Sequence, residues 1–352
     1  MKSHHLSMSK TALLFVLGLG FLSLLFAETR DEEALLGQAQ RIFKPLPKDM
    51  STPEFPTTPE RVKLGQALFF DPRLSSDGTV SCARCHLASL YGTDALPRSI
   101  GAESRLNPHN APTVLNAALE FAEHWYGDRS SVEDQAAKSF VGRASFGNAD
   151  FTSVSAKIKG ILPYQDMFAK AFPEEKEPIT QENCGKAIGS YERTLVTPSP
   201  FDAYLEGDTK ALSPEVKTGL TEFISTGCAS CHHGVGVGGG MFRKFGVTED
   251  YGKATGSKEP DKGRYTVTNN PADMYVFKVP SLRNVAMTPP YFHDGSVAGL
   301  PDAVQIMAKV QMGTDLLNQV QDIVHFLESL TGALPSNFAA APALPAAGFQ
   351  RK

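Results

Sequence analysis

Two cysteine pairs, each followed directly by a histidine, are the residues of this sequence best suited to do chemistry. The first reads Cys82-Ala83-Arg84-Cys85-His86 and the second Cys228-Ala229-Ser230-Cys231-His232. In a C-x-x-C-H pattern the two thiols lie about one helical turn apart and can form thioethers with the two vinyl groups of a haem, while the imidazole reaches the iron. The spacing therefore predicts two covalently bound haem c groups, with His86 and His232 as iron ligands.

A zinc site and a redox dithiol are the other chemistries that paired cysteines can support. The two pairs lie much farther apart in the sequence than the pairs of a zinc ribbon, and a histidine follows each pair. Both facts favour haem. The fifth cysteine, Cys184, lies in a helical pattern and is expected to be a buried thiol, so no disulfide framework is predicted.

The N-terminus reads as an export signal. Lys2 and Lys10 precede an apolar run from residue 12 to 27, and a charged stretch follows at once. We expect cleavage after Ala27 and a periplasmic location, although Leu25, three residues before the expected cut, leaves an uncleaved anchor open. The formal net charge of −4 argues against nucleic acid as a partner.

Beyond the signal the chain repeats itself, which predicts its organisation. Similar segments precede the two motifs, follow them and close each half, and the prolines at residues 198 and 200 interrupt the helical pattern between the halves. Strand patterns are almost lacking. The predicted fold is all-α, with two cytochrome c-like haem domains in tandem related by internal duplication. The expected divisions are a signal peptide (1–27), a proline-rich arm around the first domain (28–60), an N-terminal haem domain (61–198), a C-terminal haem domain (199–335) and a tail (336–352).

The two halves differ in the residue expected on the second face of each iron. Trp125 and His293 occupy matching positions, and Met307 follows His293 by fourteen residues in a helical pattern, whereas the first half has no Met or His from residue 126 to 166. A thioether ligand raises the reduction potential of a haem. We therefore predict His232 and Met307 as axial ligands of the second haem and an open face on the first. Met241, Met274, Met287 and Met312 remain alternatives to Met307.

Trp125 is the only tryptophan of the chain. Its place opposite His293 in the repeat predicts a position between the two haems and a role in passing electrons, with simple core packing as the alternative.

These residues give the chain a resemblance to the bacterial di-haem cytochrome c peroxidases over about residues 45–335. The resemblance rests on both C-x-x-C-H motifs and on the segments at residues 68–74, 112–117, 194–198, 279–284 and 290–295. It implies a low-potential peroxidatic haem in the N-terminal domain and a high-potential His/Met haem in the C-terminal one. Met307 matches the axial methionine of the family, and Trp125 matches the tryptophan between its haems.

The resemblance also implies a cation and partners. A calcium ion would be bound by the side chain of Asn110 and the backbone carbonyls of Thr288 and Pro290, since a hard cation takes oxygen ligands. The implied partners are hydrogen peroxide and a small cytochrome c or cupredoxin as electron donor, and a homodimer is compatible with the family.

Two positions depart from the family pattern. Ala102 stands where the family has a histidine that caps the resting peroxidatic haem, so we expect that haem to be open without reductive activation. Ser145 stands on or near the position of the family's distal glutamate, and a hydroxyl is a poor general base at its ordinary pKa. Arg143, Asp150 and His109 are the nearby groups that could take its place.

The sequence thus predicts a periplasmic peroxidase that reduces hydrogen peroxide to water. Two alternatives remain within the same fold. One is a di-haem oxidase that modifies residues of a partner protein, as in methylamine dehydrogenase maturation, which Met307 disfavours because those enzymes have tyrosine there. The other is a non-catalytic di-haem electron carrier.

Overall fold

The computed structural model describes residues 31–257 and 260–346, so the signal sequence and its cleavage point lie outside the described residues. Within these ranges the chain is mostly helical, with long loops and a two-stranded antiparallel sheet that sets Arg243 opposite Phe277. The helices are α1 (31–42), α2 (Pro59–Phe70), α3 (Cys82–Cys85), α4 (Val132–Ser139), α5 (Phe151–Lys159), α6 (Leu162–Ala171), α7 (Gln181–Glu192), α8 (Pro200–Leu205), α9 (Pro214–Ser225), α10 (Tyr251–Thr255), α11 (Tyr265–Thr268), α12 (Leu300–Met312), α13 (Gln319–Glu328) and α14 (Ser336–Ala339), and the strands are β1 (Phe242–Lys244) and β2 (Val276–Lys278). The mostly helical fold predicted from the sequence is confirmed.

Helix α2, which precedes the first motif, begins and ends where its sequence specifies. The Thr58 hydroxyl accepts a hydrogen bond from the Arg61 amide, and Pro59 occupies the first turn, where its missing N–H costs nothing. Asp71 ends the helix, and Pro72 cannot continue it. The following loop then leads into Cys82.

Each C-x-x-C-H motif is preceded by a helix that crosses the closing helix of its half at a glycine. A Cβ on Gly65 of α2 would stand 1.8 Å from the carbonyl oxygen of Ala187 in α7. A Cβ on Gly219 of α9 would stand 1.9 Å from the carbonyl oxygen of Asp322 in α13. Because no larger side chain fits at either position, the two helix pairs approach by direct backbone contact.

Two main apolar cores surround these helix pairs. The first contains α2, α4 and α7 side chains and also Phe338 from the segment expected to be a tail. The second contains Phe201, Phe223 and Phe326 together with Phe43 at the end of α1. The sequence predicted that the arm (28–60) packs around the first domain. The structure differs, because the arm also packs into the second core. The apolar face of α1 is buried in the second core, because Phe43 fits against the aromatic rings there.

A buried arginine attaches the arm to the second half. The Arg283 guanidinium donates to Asp202 Oδ2 (2.8 Å), to the Lys44 carbonyl (3.2 Å) and to the Val235 carbonyl (3.0 Å). Asp202 Oδ1 in turn accepts from the Leu46 amide (2.8 Å). All polar contacts of this cluster are made inside the protein, so a buried charge is matched by several hydrogen bonds.

The two halves meet at a buried threonine. Thr197 Oγ1 accepts hydrogen bonds from the side-chain amides of Asn116 (2.8 Å) and Asn284 (2.9 Å). Asn116 Oδ1 accepts from the Thr197 amide, and Asn284 Oδ1 accepts from the Gly332 amide (both 3.0 Å). Both asparagines adopt a left-handed backbone conformation, with φ of 61°, which asparagine tolerates well. The junction thus uses the matching asparagines of the two halves.

As for membrane insertion, each helix found within the described ranges is too short or too polar to span a bilayer.

Replacing Gly65 by alanine should destabilise the protein, because the new methyl group would overlap the Ala187 carbonyl. Overpacking of this kind costs about 3 kcal/mol at the upper end of its usual range. Urea denaturation of the haem-loaded protein, followed by circular dichroism, measures the effect. Gly240→Ala, where a Cβ meets nothing within 4 Å, is the matched control. Equal midpoints for the two variants would contradict the close helix crossing.

Candidate haem and peroxide site

The first motif forms a single helical turn that presents its three side chains to one space. α3 spans Cys82–Cys85, and the His86 amide donates to the Cys82 carbonyl (3.0 Å). The Nδ1 atom of His86 lies 2.9 Å from the Gly92 carbonyl, so Nδ1 carries the proton and Nε2 is left for a metal. Burial lowers the pKa of His86, which keeps the imidazole neutral as ligation requires.

The space in front of these side chains is a cavity of about 350 Å³, called here the haem cavity. Both thiols and the imidazole of the first motif line it, and Trp125 lines another part. The donor set fits a covalently held haem: two free thiols, and an imidazole whose outer nitrogen is already hydrogen-bonded. Further lining residues come from the loop at 107–114 and from the segment at 132–146.

The second motif has a similar local conformation. Cys228–Ser230 form a short 3₁₀ turn, and the His232 amide donates to the Cys228 carbonyl (3.1 Å). Burial lowers the pKa of His232 to about 4, although the nearby carbonyls of Val237 and Pro280 act in the opposite direction. Among the described residues His232 Nδ1 makes no hydrogen bond of good geometry, yet it faces those two carbonyls. The imidazole is therefore neutral here as well, and suited to bind iron.

Two methionines of α12 lie in different surroundings. Met307 packs against an aromatic cluster that contains Phe245, Phe277 and Trp125. Met312 Sδ lies 3.7 Å from the Cβ position of Gly227, the residue before the second motif. Ligation of the second iron by Met307 stays a prediction, and Met312 stays its alternative.

Trp125 is fixed between the two halves. Its indole Nε1 donates to the Asn110 carbonyl (3.0 Å), its own carbonyl accepts from the Lys278 amide of β2 (2.8 Å), and its ring centroid lies 6.2 Å from that of His293. The Lys278 ammonium is buried in an ion pair with Glu120, which secures this contact between the halves. Trp125 therefore lines the haem cavity and also packs in the aromatic cluster that contains Met307.

The segment at 132–146 forms a polar wall of the haem cavity. Ser145 Oγ donates to the Ser139 carbonyl (2.7 Å), and Gln135 Nε2 donates to Ser139 Oγ (3.0 Å). Ala102 is fully buried beside this wall, with its amide donating to the Ser145 carbonyl (2.8 Å). Its methyl group offers no ligand, so the position of the family's capping histidine contributes no donor atom.

The three groups considered as substitutes for a distal carboxylate are placed differently. Arg143 is exposed and does not line the haem cavity, and Asp150 is exposed and caps α5 by accepting from the Ser153 amide. His109 does line the cavity. Of the three, only His109 faces the haem cavity.

His109 belongs to a network that joins the halves. Its Nε2 atom lies 2.9 Å from the Tyr126 hydroxyl and 2.9 Å from Asp261 Oδ2, and the Tyr126 hydroxyl also donates to Asp261. Burial alone would raise the pKa of Asp261, but the hydrogen bonds from His109 and Tyr126 outweigh it and lower the pKa to about 2. Sequence reasoning did not find Tyr126 or Asp261, because their pairing spans 135 residues.

Two buried glutamates on the haem cavity were also missed from the sequence. Glu123 and Glu192 both line it, and burial raises the pKa of each carboxyl well above its ordinary value. The charge of Glu133 acts in the same direction on both, and Glu192 also raises the pKa of Glu123. The sequence feature that could have indicated Glu123 is its position two residues before Trp125.

Asn110, one of the predicted calcium ligands, makes its hydrogen bonds within the protein. The Asn110 amide donates to the His293 carbonyl (2.9 Å), and Asn110 Nδ2 donates to the Leu96 carbonyl (2.8 Å). Within residues 31–257 and 260–346, no group of three or more His, Cys, Asp or Glu side chains could hold a metal ion. A site made of one amide and the carbonyls of Thr288 and Pro290 is of another kind, and stays a prediction.

Two motif turns with neutral imidazoles, in a mostly helical chain, define a cytochrome c-type haem protein. Residues 59–210 match the family model described as di-haem cytochrome c peroxidase. The chain is 41% identical over 326 residues to cytochrome c551 peroxidase of Pseudomonas aeruginosa, covering 91% of this chain and 93% of that protein. It therefore belongs to the di-haem cytochrome c peroxidase family, whose members are oxidoreductases with two haem c groups.

Other relatives include the second branch anticipated from the sequence. Methylamine utilization protein MauG of Methylorubrum extorquens is 37% identical over 247 residues, covering 70% of this chain and 67% of that protein. A crystal structure of a MauG-like protein associated with microbial copper homeostasis superposes with a TM-score of 0.71 at 27% identity, covering 85% of this chain and 96% of that one. The family assignment made from the sequence motifs is confirmed.

Replacing Asp261 by asparagine should weaken the contact between the halves. The lowered pKa means that Asp261 stabilises the fold above about pH 4, and that this contribution is lost as the pH falls from 3.8 towards 2. We expect the variant to lose about 2 kcal/mol at pH 7, since hydrogen bonds to a charged group are lost. The difference from wild type should shrink below pH 4, as measured by urea denaturation across pH. A pH-independent difference would contradict the assignment of this effect to the carboxylate.

Proposed function

We propose that the protein reduces hydrogen peroxide to water with electrons from a small cytochrome c or cupredoxin in the periplasm. The observation that carries this proposal is the haem cavity, which the first motif and Trp125 both line, while Trp125 also packs against the aromatic cluster that Met307 contacts. The reaction consumes two electrons and two protons for each peroxide and gives two waters. The kinship with named cytochrome c peroxidases supports it.

In this proposal each protein group has a defined task. Cys82 and Cys85 would hold the first haem by thioether bonds and His86 would bind its iron. Cys228, Cys231 and His232 would do the same for the second haem, with Met307 as a further iron ligand. When bound, the first haem supplies an iron at which peroxide can be reduced. The indole of Trp125, fixed from both sides by backbone hydrogen bonds, conducts electrons between the halves. The polar wall at 132–146 receives the substrate.

The same proposal includes features inferred from the sequence. Calcium would be bound by Asn110, Thr288 and Pro290, which would order the loops on both sides of the junction. The signal peptide would be removed after Ala27. The mature chain would contain an N-terminal haem domain (61–198) and a C-terminal haem domain (199–335). A homodimer would be compatible with the family. Internal duplication is supported by the repeated glycine crossings and by the matching asparagines at the junction.

The decisive experiment uses the purified protein loaded with both haems. Spectra of the fully oxidised protein should contain a high-spin ferric signal, since Ala102 offers no ligand to the first iron. Added peroxide should then oxidise a reduced small cytochrome c. Two fully low-spin centres, with no oxidation of the donor, would support the electron-carrier alternative and refute the peroxidase.

Replacing Met307 by leucine should lower the reduction potential of one haem, because thioether ligation raises it. Potentiometric titration monitored by absorbance measures this, and Met312→Leu on the same helix is the control, with an expected unchanged potential. The opposite outcome, a shift in Met312→Leu alone, would assign the ligand to Met312.

Replacing Trp125 by phenylalanine should slow electron transfer between the halves by about tenfold, an increase of about 1.4 kcal/mol in the barrier. Stopped-flow oxidation of the donor, with haem content measured in parallel, is the test. Phe121→Leu, at an exposed ring outside the haem cavity, is the control. An unchanged rate in Trp125→Phe would remove Trp125 from the electron path.

A further inference from the structure

Glu123 separates the haem cavity from a second pocket that reaches the surface. This second pocket, called here the arm pocket, has a volume of about 390 Å³, and the exposed residues Thr52, Pro53 and Glu54 of the arm line its outer part. Within the described part of the chain, only Glu123 and Val132 line both spaces. Of these two side chains, the carboxyl group alone can carry a proton.

The carboxyl group of Glu123 is buried without the partners that a buried charge requires. Its Oε1 atom has no hydrogen-bond partner among the described residues, and the side chain is almost completely inaccessible. The Arg193 guanidinium, whose charge acts on Glu123, is already engaged by both oxygens of Glu133 at 2.7 and 3.1 Å. Burial, with Glu192 and Glu133 nearby, raises the pKa of Glu123, so the group is held as a neutral acid.

Several elements pack around Glu123, and each of them carries charged groups. Those on its own loop are already paired, since Asp128 contacts Arg129 and His124. Glu120 is paired with Lys278. The remaining groups are Glu133 of α4, Glu192 and Arg193 of α7, and Glu54 of the arm. Because Arg193 is paired with Glu133, neither Glu123 nor Glu192 has an ion-pair partner among the described residues.

Peroxide reduction requires a proton source that the polar wall of the cavity does not supply. The hydroxyls of Ser139 and Ser145 already donate to carbonyls within their own segment. Glu192 lines the haem cavity and does not line the arm pocket. Asp128 is held ionised by its partners, which lower its pKa although burial acts the other way. Among these cavity carboxyls, Glu123 is therefore the one that also lines the arm pocket.

We propose that Glu123 is a proton relay between the arm pocket and the haem cavity, an inference that rests on the proposed peroxidase function. In each turnover the O–O bond of the peroxide breaks, two electrons arrive from the donor protein, and two O–H bonds form in the waters released. Glu123 gives its carboxyl proton to the cavity and becomes a carboxylate. It then recovers a proton from water in the arm pocket, and the cycle repeats for the second proton.

The test compares Glu123→Gln with wild type in the haem-loaded protein. Glutamine is neutral and has the same shape as the protonated acid, so haem content and denaturation midpoint should be unchanged. An infrared carbonyl band of protonated carboxyls, sensitive to exchange into D₂O, should be present at neutral pH in wild type. The difference spectrum of wild type minus variant should contain the lost Glu123 component, while buried Glu192 keeps its own component. The kcat/KM for peroxide should fall by about 100-fold, the usual contribution of a positioned acid.

Matched variants separate the relay from general effects. Glu182→Gln, the same change at an exposed position on α7, should keep both the infrared band and the rate. Glu123→Asp should keep a band and recover part of the rate. Ser130→Trp, which fills the mouth of the arm pocket, should slow turnover and retain the infrared band. This variant tests the relay if Glu123→Gln does not fold.

The outcomes are distinguishable. A difference spectrum with no lost carbonyl component, or a kcat/KM of Glu123→Gln within about twofold of wild type, would overturn the relay while the peroxidase function stands. A wild-type protein that consumes no peroxide would overturn both. Loss of the band with a normal rate would leave Glu123 as a buried acid outside the proton path, and also counts against the relay.

Discussion

The arrangement of the whole molecule depends on the buried hydroxyl of Thr197, which accepts hydrogen bonds from Asn116 and Asn284 at once. Each asparagine closes the segment that follows one haem motif, and each also accepts from a backbone amide at the end of its closing helix. Because these groups are removed from water, any one left without its partner would cost its full desolvation energy. The relative position of the halves, and hence of Trp125 and His293, follows from this junction.

The haem cavity combines two requirements that are usually in conflict. Its imidazole must be neutral to bind iron, which burial favours. Its chemistry must also consume protons, which a dry apolar cavity cannot provide. The structure places two buried carboxyl groups on the cavity, Glu123 and Glu192, whose pKa values the same burial raises, and Glu123 also lines the arm pocket. Low polarity thus prepares both the metal ligand and the acid.

The sequence was most informative where function depends on short local spacing. The C-x-x-C-H motifs, the end of α2 at Asp71 and the predominance of helix were predictable, since each is fixed by neighbouring residues. The position of α1 was not, because the choice between two apolar cores is made by shape, and Phe43 fits the rings of the second. The carboxyl cluster and the Tyr126–Asp261 contact were also invisible. Their partners are distant in the sequence, and burial, which changes their acidity, exists only in the folded chain.

The arm also constrains the order in which the chain can fold. Lys44 and Leu46 bind Arg283 and Asp202, groups that lie 239 and 156 residues later. Contacts of such separation form late, because the intervening chain must first be ordered. During synthesis, the arm therefore waits for Asp202 and Arg283, which emerge much later. Until then its backbone pairing with Gly234, two residues after His232, is also unformed, which leaves that side of the second motif accessible while haem is attached to its thiols.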